Sequence, residues 1–461
     1  MSEKEISSFC VRPTPRAGLC ALGAVLQAKH FFAPVEARVQ IHQKEILHQV
    51  IDKLKIRFIT LLSGAAGLYL SDKVVRADPA IQSCFGCSSC PDQSTIHRLF
   101  VAGTTDNVEQ LRSACTDLFQ QHSLASQHDF EKDLLILDID MQGQRTSKHA
   151  QQAAKGYFPG HRGAYGRQQV RVLAGQYDEI LVDRLDPGNS VLGPLIAPLM
   201  QAAESCLNLV PDQRWRVMVR IDASGGGEDR IDWLLKQGYQ VHIKLKGSDR
   251  AYQLAQTVDV WRSDPAHPNR EVGLVGRPYR YIRPTIQVAA RYPQAKGGYT
   301  YHVIVSSLAP EQVVALSHFP PAAAWEAELI IFAYANVYDD RSGPIEHSFG
   351  EDGQGFYAGK RHHRIFVAQA MRMLLTSLAH NTLAWSRVWL SAACPDLAAL
   401  GMLRLVRDVL GMPGHISFDA RGTLREISFN RLDPLAAPVA SGFRDLLTPL
   451  GSGYSCRPLN C

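Results

Sequence analysis

Hydrophobic positions in the first third of the chain fall into helical registers. From Glu45 onward apolar side chains return every fourth residue, at Ile46, Val50, Leu54 and Phe58, which is the spacing of one helix face. A second helical run, Gln93–Phe100, opens after Pro91 and Asp92, both of which are helix-start signals. A third, Val108–Gln121, aligns Leu111, Cys115, Leu118 and Phe119 on one stripe. Residues 1–44 show no clean period and are expected to form an irregular arm. Short helices over residues 45–125 suit a DNA-binding module, and a plain helical bundle has the same pattern, because fold does not dictate function.

From Asp133 the period changes. Asp133–Asp140 (DLLILDID) is a short apolar run ending in acids and predicts a buried strand. Gln168–Ala174 and Glu179–Leu185 read as two more strands, joined as a hairpin by Gly175-Gln176-Tyr177-Asp178. A helix over Leu192–Leu209 follows, then a strand over Arg216–Asp222, Gly225-Gly226-Gly227, a helix over Glu228–Lys236 and a strand over Gln240–Leu245. Three strands followed by alternating helix and strand resemble the ribonuclease H-like fold. Its closing helix is expected at Ile365–Trp385. The stretch 247–329, with strand-like runs such as Tyr299–Ser306, reads as a β-rich insertion. The predicted organisation is an arm (1–44), a helical DNA-binding region (45–125), the first part of a mixed α/β catalytic domain (130–246), the insertion (247–329), the closing part (330–390) and a small C-terminal region (394–461).

Composition narrows the class. Of the 461 residues 46% are hydrophobic and 20% charged, enough apolar content for large cores. The net charge of +5 does not by itself require nucleic acid, so local basic clusters matter more. The chain contains no apolar run of about 18 residues to span a membrane, and its start lacks the apolar core of a secretory signal. The expected location is therefore the bacterial cytoplasm, at the nucleoid, with the ten cysteines as reduced thiols.

Acids at strand ends carry the candidate chemistry. Cleavage and transfer of a phosphodiester need an activated water or 3′-hydroxyl in line with the leaving oxygen, and two divalent ions can serve both. Magnesium prefers carboxylate oxygens. Asp140 ends the first strand, and Asp138, two residues earlier, points to the same face. Asp222 ends the fourth strand, before the glycine turn, and Glu346 follows Pro344 in the first turn of a helix.

The sequence resembles the DDE transposases of bacterial insertion sequences over roughly residues 45–445. The resemblance rests on LLILDIDMQG, KGYFPGHRGAYGRQQVRVLAGQYDEILVDRLDPGNS, VRIDASGGGEDRIDWLLKQGYQVHIKLK, IEHSFGEDGQGF and MLLTSLAHNTLAW, and it is closest to the branch with a Tyr-x2-Arg-x3-Glu-x6-Lys signature. It implies a metal-binding catalytic triad of Asp140, Asp222 and Glu346, two Mg²⁺ or Mn²⁺ ions, terminal-repeat and target DNA as partners, and two protomers on paired ends. It prefers Asp140 to Asp138, although Met141 and Gln142 depart from the family's usual residues there. Tyr338 and Arg341 keep the Tyr-x2-Arg spacing and would contact DNA, but Arg341 lies one residue further from Glu346 than the signature has it. Gly353 stands at the lysine position. Lys360, Arg361 and Arg364, in the densest basic run, are the candidates to replace that lysine as phosphate contacts; a solvated helix face is the alternative. A non-catalytic DNA-binding derivative and a nuclease that cuts without joining are the rival functions.

Three weaker signals remain. Cys84, Cys87 and Cys90 form C-x2-C-x2-C, which with His97 would give four zinc ligands, or they are free thiols. Basic and aromatic residues alternate between strands one and two, as in a loop touching unpaired DNA or an ordinary surface loop. Trp261 is a candidate to stack on an extruded base, or it is a core residue.

Overall fold

The computed structural model describes residues 10–44, 47–317, 329–358, 363–450 and 455–458. They form two compact units, one of residues 124–145 and 154–349, the other of 1–123, 146–153 and 350–461.

The first unit is built on one mixed sheet. Its strands are β1 (Leu135–Arg145), β2 (Ala154–Lys155), β3 (Tyr165–Ala174), β4 (Glu179–Pro187), β5 (Val217–Ile221), β6 (Gln240–Lys244), β7 (Arg262–Asp264), β8 (His267–Leu274), β9 (Ile286–Pro293) and β10 (Tyr299–Ser306). The order is β2-β3-β1-β5-β6-β10-β9-β8-β7, with β4 paired to β3. Strands β1, β5 and β6 are parallel, whereas β3 and β4 are antiparallel to their neighbours. Leu135, Leu137 and Ile139 are buried on one face of β1, and the alternate positions Ile136, Asp138 and Asp140 look to the other. Two helices connect the parallel strands, α1 (Ile196–Leu207) and α2 (Glu228–Gln237). Asn208 ends α1 and Gly238 ends α2, each in the left-handed conformation.

The inserted strands do not make a sheet of their own. β10 pairs antiparallel with β6, Ile304 opposite Lys244 and Ser306 opposite His242, and β9, β8 and β7 follow outward. An uncovered β6 would leave a row of backbone donors and acceptors unpaired beside buried Val241 and Ile243, and β10 satisfies them. α3 (Ile330–Asp339) covers this part of the sheet, its Phe332, Ala335 and Val337 clustering with Met218, Val272, Val288 and Ile304. α4 (Ser342–Gly355) belongs to this unit as far as Phe349, and its Ile345 and Phe349 pack on Leu173 and Ile180.

The other unit corrects two expectations. Residues 1–44 are not an irregular arm among the described residues: Cys10–Thr14 is a strand and Ala17–Ala28 a helix. That helix is buried on nearly every side, so its sequence, AGLCALGAVLQA, has no polar stripe from which a period could be read. Gly18 lies against the backbone of Val409 and Gly23 against the ring of Phe85, where a Cβ would collide. The strand pairs with Gly414–Phe418 in a four-stranded sheet that also holds Leu424–Phe429 and Ser455–Pro458, so the two ends of the chain share one core. The long helix Phe366–Ser391, expected to close the catalytic domain, instead belongs to this unit. It packs against Val50–Leu62, Gln93–Ala102 and Thr105–His122, and its Trp385 meets Phe31, Phe119 and His122. Its face pattern marks a buried helix but does not say against which partner. Glu45 and Ile46 lie outside the described residues. No described helix is long and apolar enough to cross a membrane.

Candidate active site

Three parallel strands carry polar residues in matching rows on one face. Asp138 pairs with Arg220, and Ile139 with Ile221, so Asp140 and Asp222 each come one residue beyond the last pair. Val219 pairs with Val241, which places His242 and Lys244 in the same two rows. The inner row is therefore Asp138, Arg220 and His242, and the outer row Asp140, Asp222 and Lys244. Across β3, Arg171 faces Asp140.

The inner row is locked. Asp138 receives hydrogen bonds from Arg220 Nε at 2.6 Å and Nη2 at 2.9 Å, and Arg220 Nη1 donates to the carbonyl of Val337. Burial pushes the Asp138 carboxyl up, and the Arg220 guanidinium opposes that push. Gly175 packs against Asp138 and Pro344 so closely that a Cβ would lie 2.7 Å from Asp138 Oδ2. His242 is buried between Ser306 Oγ and the Tyr334 carbonyl, and burial takes its pKa down to about 3.

The outer row is more open. Burial raises the Asp140 carboxyl, Arg341 counters this, and the negative charge of Asp222 raises it further. Arg341 Nη1 lies 3.3 Å from Asp140 Oδ2, and its side chain is only 5% exposed. Asp222 is half-buried and accepts from Ser224 N and Oγ, which leaves Oδ2 outside these bonds. Burial pulls the Lys244 ammonium down, while Asp222 and Asp339 hold it up. Tyr338 lies under the Arg341 guanidinium, 6.0 Å from ring centre to Cζ, and burial lifts its phenol to about 12.

Asp140 and Asp222 are thus brought together, with Arg341 and Tyr338 beside them. Arg341, read as a DNA contact, instead turns its guanidinium into the protein toward Asp140. Glu346 is exposed on α4. Its helix is fastened to the sheet by Ser348, which accepts from Arg171 Nη1 at 2.9 Å, and by Phe349, whose ring lies 4.4 Å under Arg171. Among the described residues no group of three or more His, Cys, Asp or Glu is close enough to hold an ion, so Glu346 is not gathered with the two aspartates. The donor chemistry still fits a hard cation: two carboxylates stand side by side, and the charge of one disfavours ionisation of the other. Lys244 went unnoticed in the sequence, although counting equal steps along QVHIK from a parallel neighbour would have found it.

The remaining candidates lie elsewhere. Arg364 is exposed in the helical unit, and Lys360 and Arg361 are outside the described residues. Gly353 is half-buried, with nothing near its missing Cβ. Burial raises Cys87 to about 12 and Cys90 to about 11, so both stay protonated, and no described metal cluster includes them. Trp261 is half-buried and lies under Arg291, which also covers Tyr299 and bonds Glu271. Phe158 in the long link is an anchor packed on Gly143 and Gly166, whereas Tyr157 is exposed.

No curated protein matches the chain. A piggyBac transposase, solved as a synaptic complex with hairpin DNA, aligns with 96% of this chain and 88% of that one at a TM-score of 0.46 and 10% identity. The family model described as transposase DDE domain, group 1, matches residues 14–405. That match takes in both units of the fold and most of the sequence, and the chain therefore belongs to the DDE transposase family.

Proposed function

We propose that this transposase cuts DNA at the ends of an insertion sequence and joins those ends to new DNA, with Asp140 and Asp222 holding the divalent cations, Mg²⁺ or Mn²⁺. The observation that supports this reading is the shared register of β1 and β5, which sets the two carboxylates side by side, one residue beyond the last pair of the two parallel strands. Bound there, a pair of ions would activate the attacking oxygen and neutralise charge on the leaving one. Asp140 and Asp222 bind, Ser224 orients Asp222, and Arg341 balances the charge of Asp140. Glu346 is the third carboxylate in this reading, carried by a helix that Arg171 fastens through Ser348. The ribonuclease H-like sheet, lengthened by β7–β10, is the catalytic part. The helical unit, with Arg364 and the neighbouring Lys360 and Arg361, holds DNA, and two protomers act on paired ends.

The test is incubation with Mg²⁺ and DNA carrying the element's own ends, followed by a search for nicked, hairpin and joined products. Asp222→Asn is expected to lose cleavage by about a thousandfold or more while retaining end binding, because phosphate contacts dominate affinity. Normal cleavage by that variant would overturn the assignment. The exposed position of Glu346, apart from the aspartates, favours one second reading, a derivative that binds DNA without cutting it. In that case the parent yields no product with Mg²⁺ or Mn²⁺ yet still shifts DNA carrying the ends.

A further inference from the structure

The helical unit contains a cavity of about 560 Å³ lined by the helices Val50–Leu62, Gln93–Ala102 and the start of Phe366–Ser391. Its described lining holds Arg57, Arg364, Arg372, His97 and His363, and no Asp or Glu. Arg57 is 4% exposed and Arg372 5%. Arg57 Nη1 is buried with no hydrogen-bond partner among the described residues. Arg372 Nη2 donates to the carbonyl of Tyr357. Burial and the charge of Arg372 bring the Arg57 guanidinium down to about 9, and burial brings Arg372 down to about 10. A guanidinium as deeply buried as that of Arg57, with one nitrogen unmatched and no Asp or Glu on the described wall, is costly unless an anion meets it.

The rest of the wall describes the remainder of the ligand. His97 and His363 stack with ring centres 5.4 Å apart and planes 9° from parallel, and His363 also meets Phe100. Tyr69 stands at 38% exposure on the lining, with apolar Leu68, Val101 and Ile365. The space is that of a small-molecule site, larger than a bare phosphate requires, and its flat rings suit a base.

We propose that this cavity is a nucleotide site: Arg57 and Arg372 take a phosphate, and the aromatic and histidine wall takes the base attached to it. The same chemistry could come from a free mononucleotide or from one nucleotide of a DNA strand. The site does not depend on the reading of Asp140 and Asp222, which lie in the other unit.

The test uses the full chain, without divalent metal, and three probes: inorganic phosphate, dAMP and a single-stranded oligonucleotide. Melting curves and fluorescence anisotropy are the readouts. In the parent, dAMP or the oligonucleotide should raise the melting temperature more than phosphate does. Arg57→Met should melt at or above the parent without ligand and bind about tenfold or more weakly, the loss of a charged hydrogen bond. His97→Glu, at an exposed position, serves as the second variant and should weaken binding by a similar factor through repulsion. A shift from dAMP alone identifies a free nucleotide, and an oligonucleotide affinity that falls in both variants identifies a strand. The proposal is overturned if no probe shifts the parent, if phosphate alone gives the whole shift, or if both variants bind as the parent does.

Discussion

Arg220 and Arg57 are equally hidden, each 4% exposed, yet their surroundings are opposite. Arg220 lies in the sheet unit, bonded twice to Asp138 and once to a backbone carbonyl. Arg57 lies in the helical unit beside another arginine, with one nitrogen unmatched among the described residues. A buried charge that has its counter-charge and its hydrogen bonds is part of the scaffold. One that lacks them weakens the free protein, and its retention is explained by something that binds. A milder contrast separates Asp138 from Asp140, two residues apart on one strand: the first is enclosed by two hydrogen bonds from Arg220, and the second has one longer contact from Arg341 and the like charge of Asp222 beside it.

The sharpest way to break this comparison is to remove one partner on each side. Arg220→Met leaves Asp138 buried and uncompensated, and urea unfolding should show a loss of about 3–5 kcal/mol. Adding Asp138→Leu to that variant should restore most of the loss. If the double variant is as unstable as the single one, the pair is not the unit that matters.

His242, beside Arg220, gives a smaller effect with a defined pH window. Its folded pKa, about 3, lies below its ordinary value of 6.5. The neutral ring's contribution is therefore full above about pH 6.5 and is lost as pH falls toward 3. Between those two values the expected slope approaches about 1.4 kcal/mol per pH unit. Replacing His242 by Gln should flatten the acid side of the stability profile; an unchanged slope would show that another group sets it.

Arg57→Met should have the opposite sign to Arg220→Met, with stability unchanged or raised by roughly 1 kcal/mol. A loss as large as that of Arg220→Met would mean that Arg57 is structural after all. The smallest effect belongs to exposed Arg364. Its replacement by Gln should leave unfolding within about 0.5 kcal/mol of the parent and lower the salt slope of DNA binding by about one.

Much of the sheet was legible from local pattern. Tyr299–Ser306 occurs with its expected bounds, and β1, β3, β4, β5 and β6 occupy the expected runs with ends moved by a few residues, whereas the two-residue β2 falls in the stretch read as a loop. β1 continues to Arg145 because β3 pairs with it through the polar stretch Met141–Arg145, which no hydrophobic period marks. The buried helix Ala17–Ala28 was missed for the converse reason, since it is apolar all round and lacks a face.

The sequence by itself determined six of the strands, their succession along the chain, and the presence of acids in or just after two of them, because alternation and turn residues act within a few positions of the chain. It also showed that Asp138 and Asp140 share a face, and for that very reason it could not choose between them. Tertiary structure gives them different neighbours, setting Arg220 level with Asp138 and Asp222 level with Asp140. It likewise decided that the inserted strands extend the sheet from β6, that Phe366–Ser391 belongs to the helical unit, and that the described residues lining the cavity around Arg57 include no acid. Each of these depends on which distant segment supplies the partner of a charge, an edge or a face, and an apolar stripe or a lone arginine carries no label for that partner.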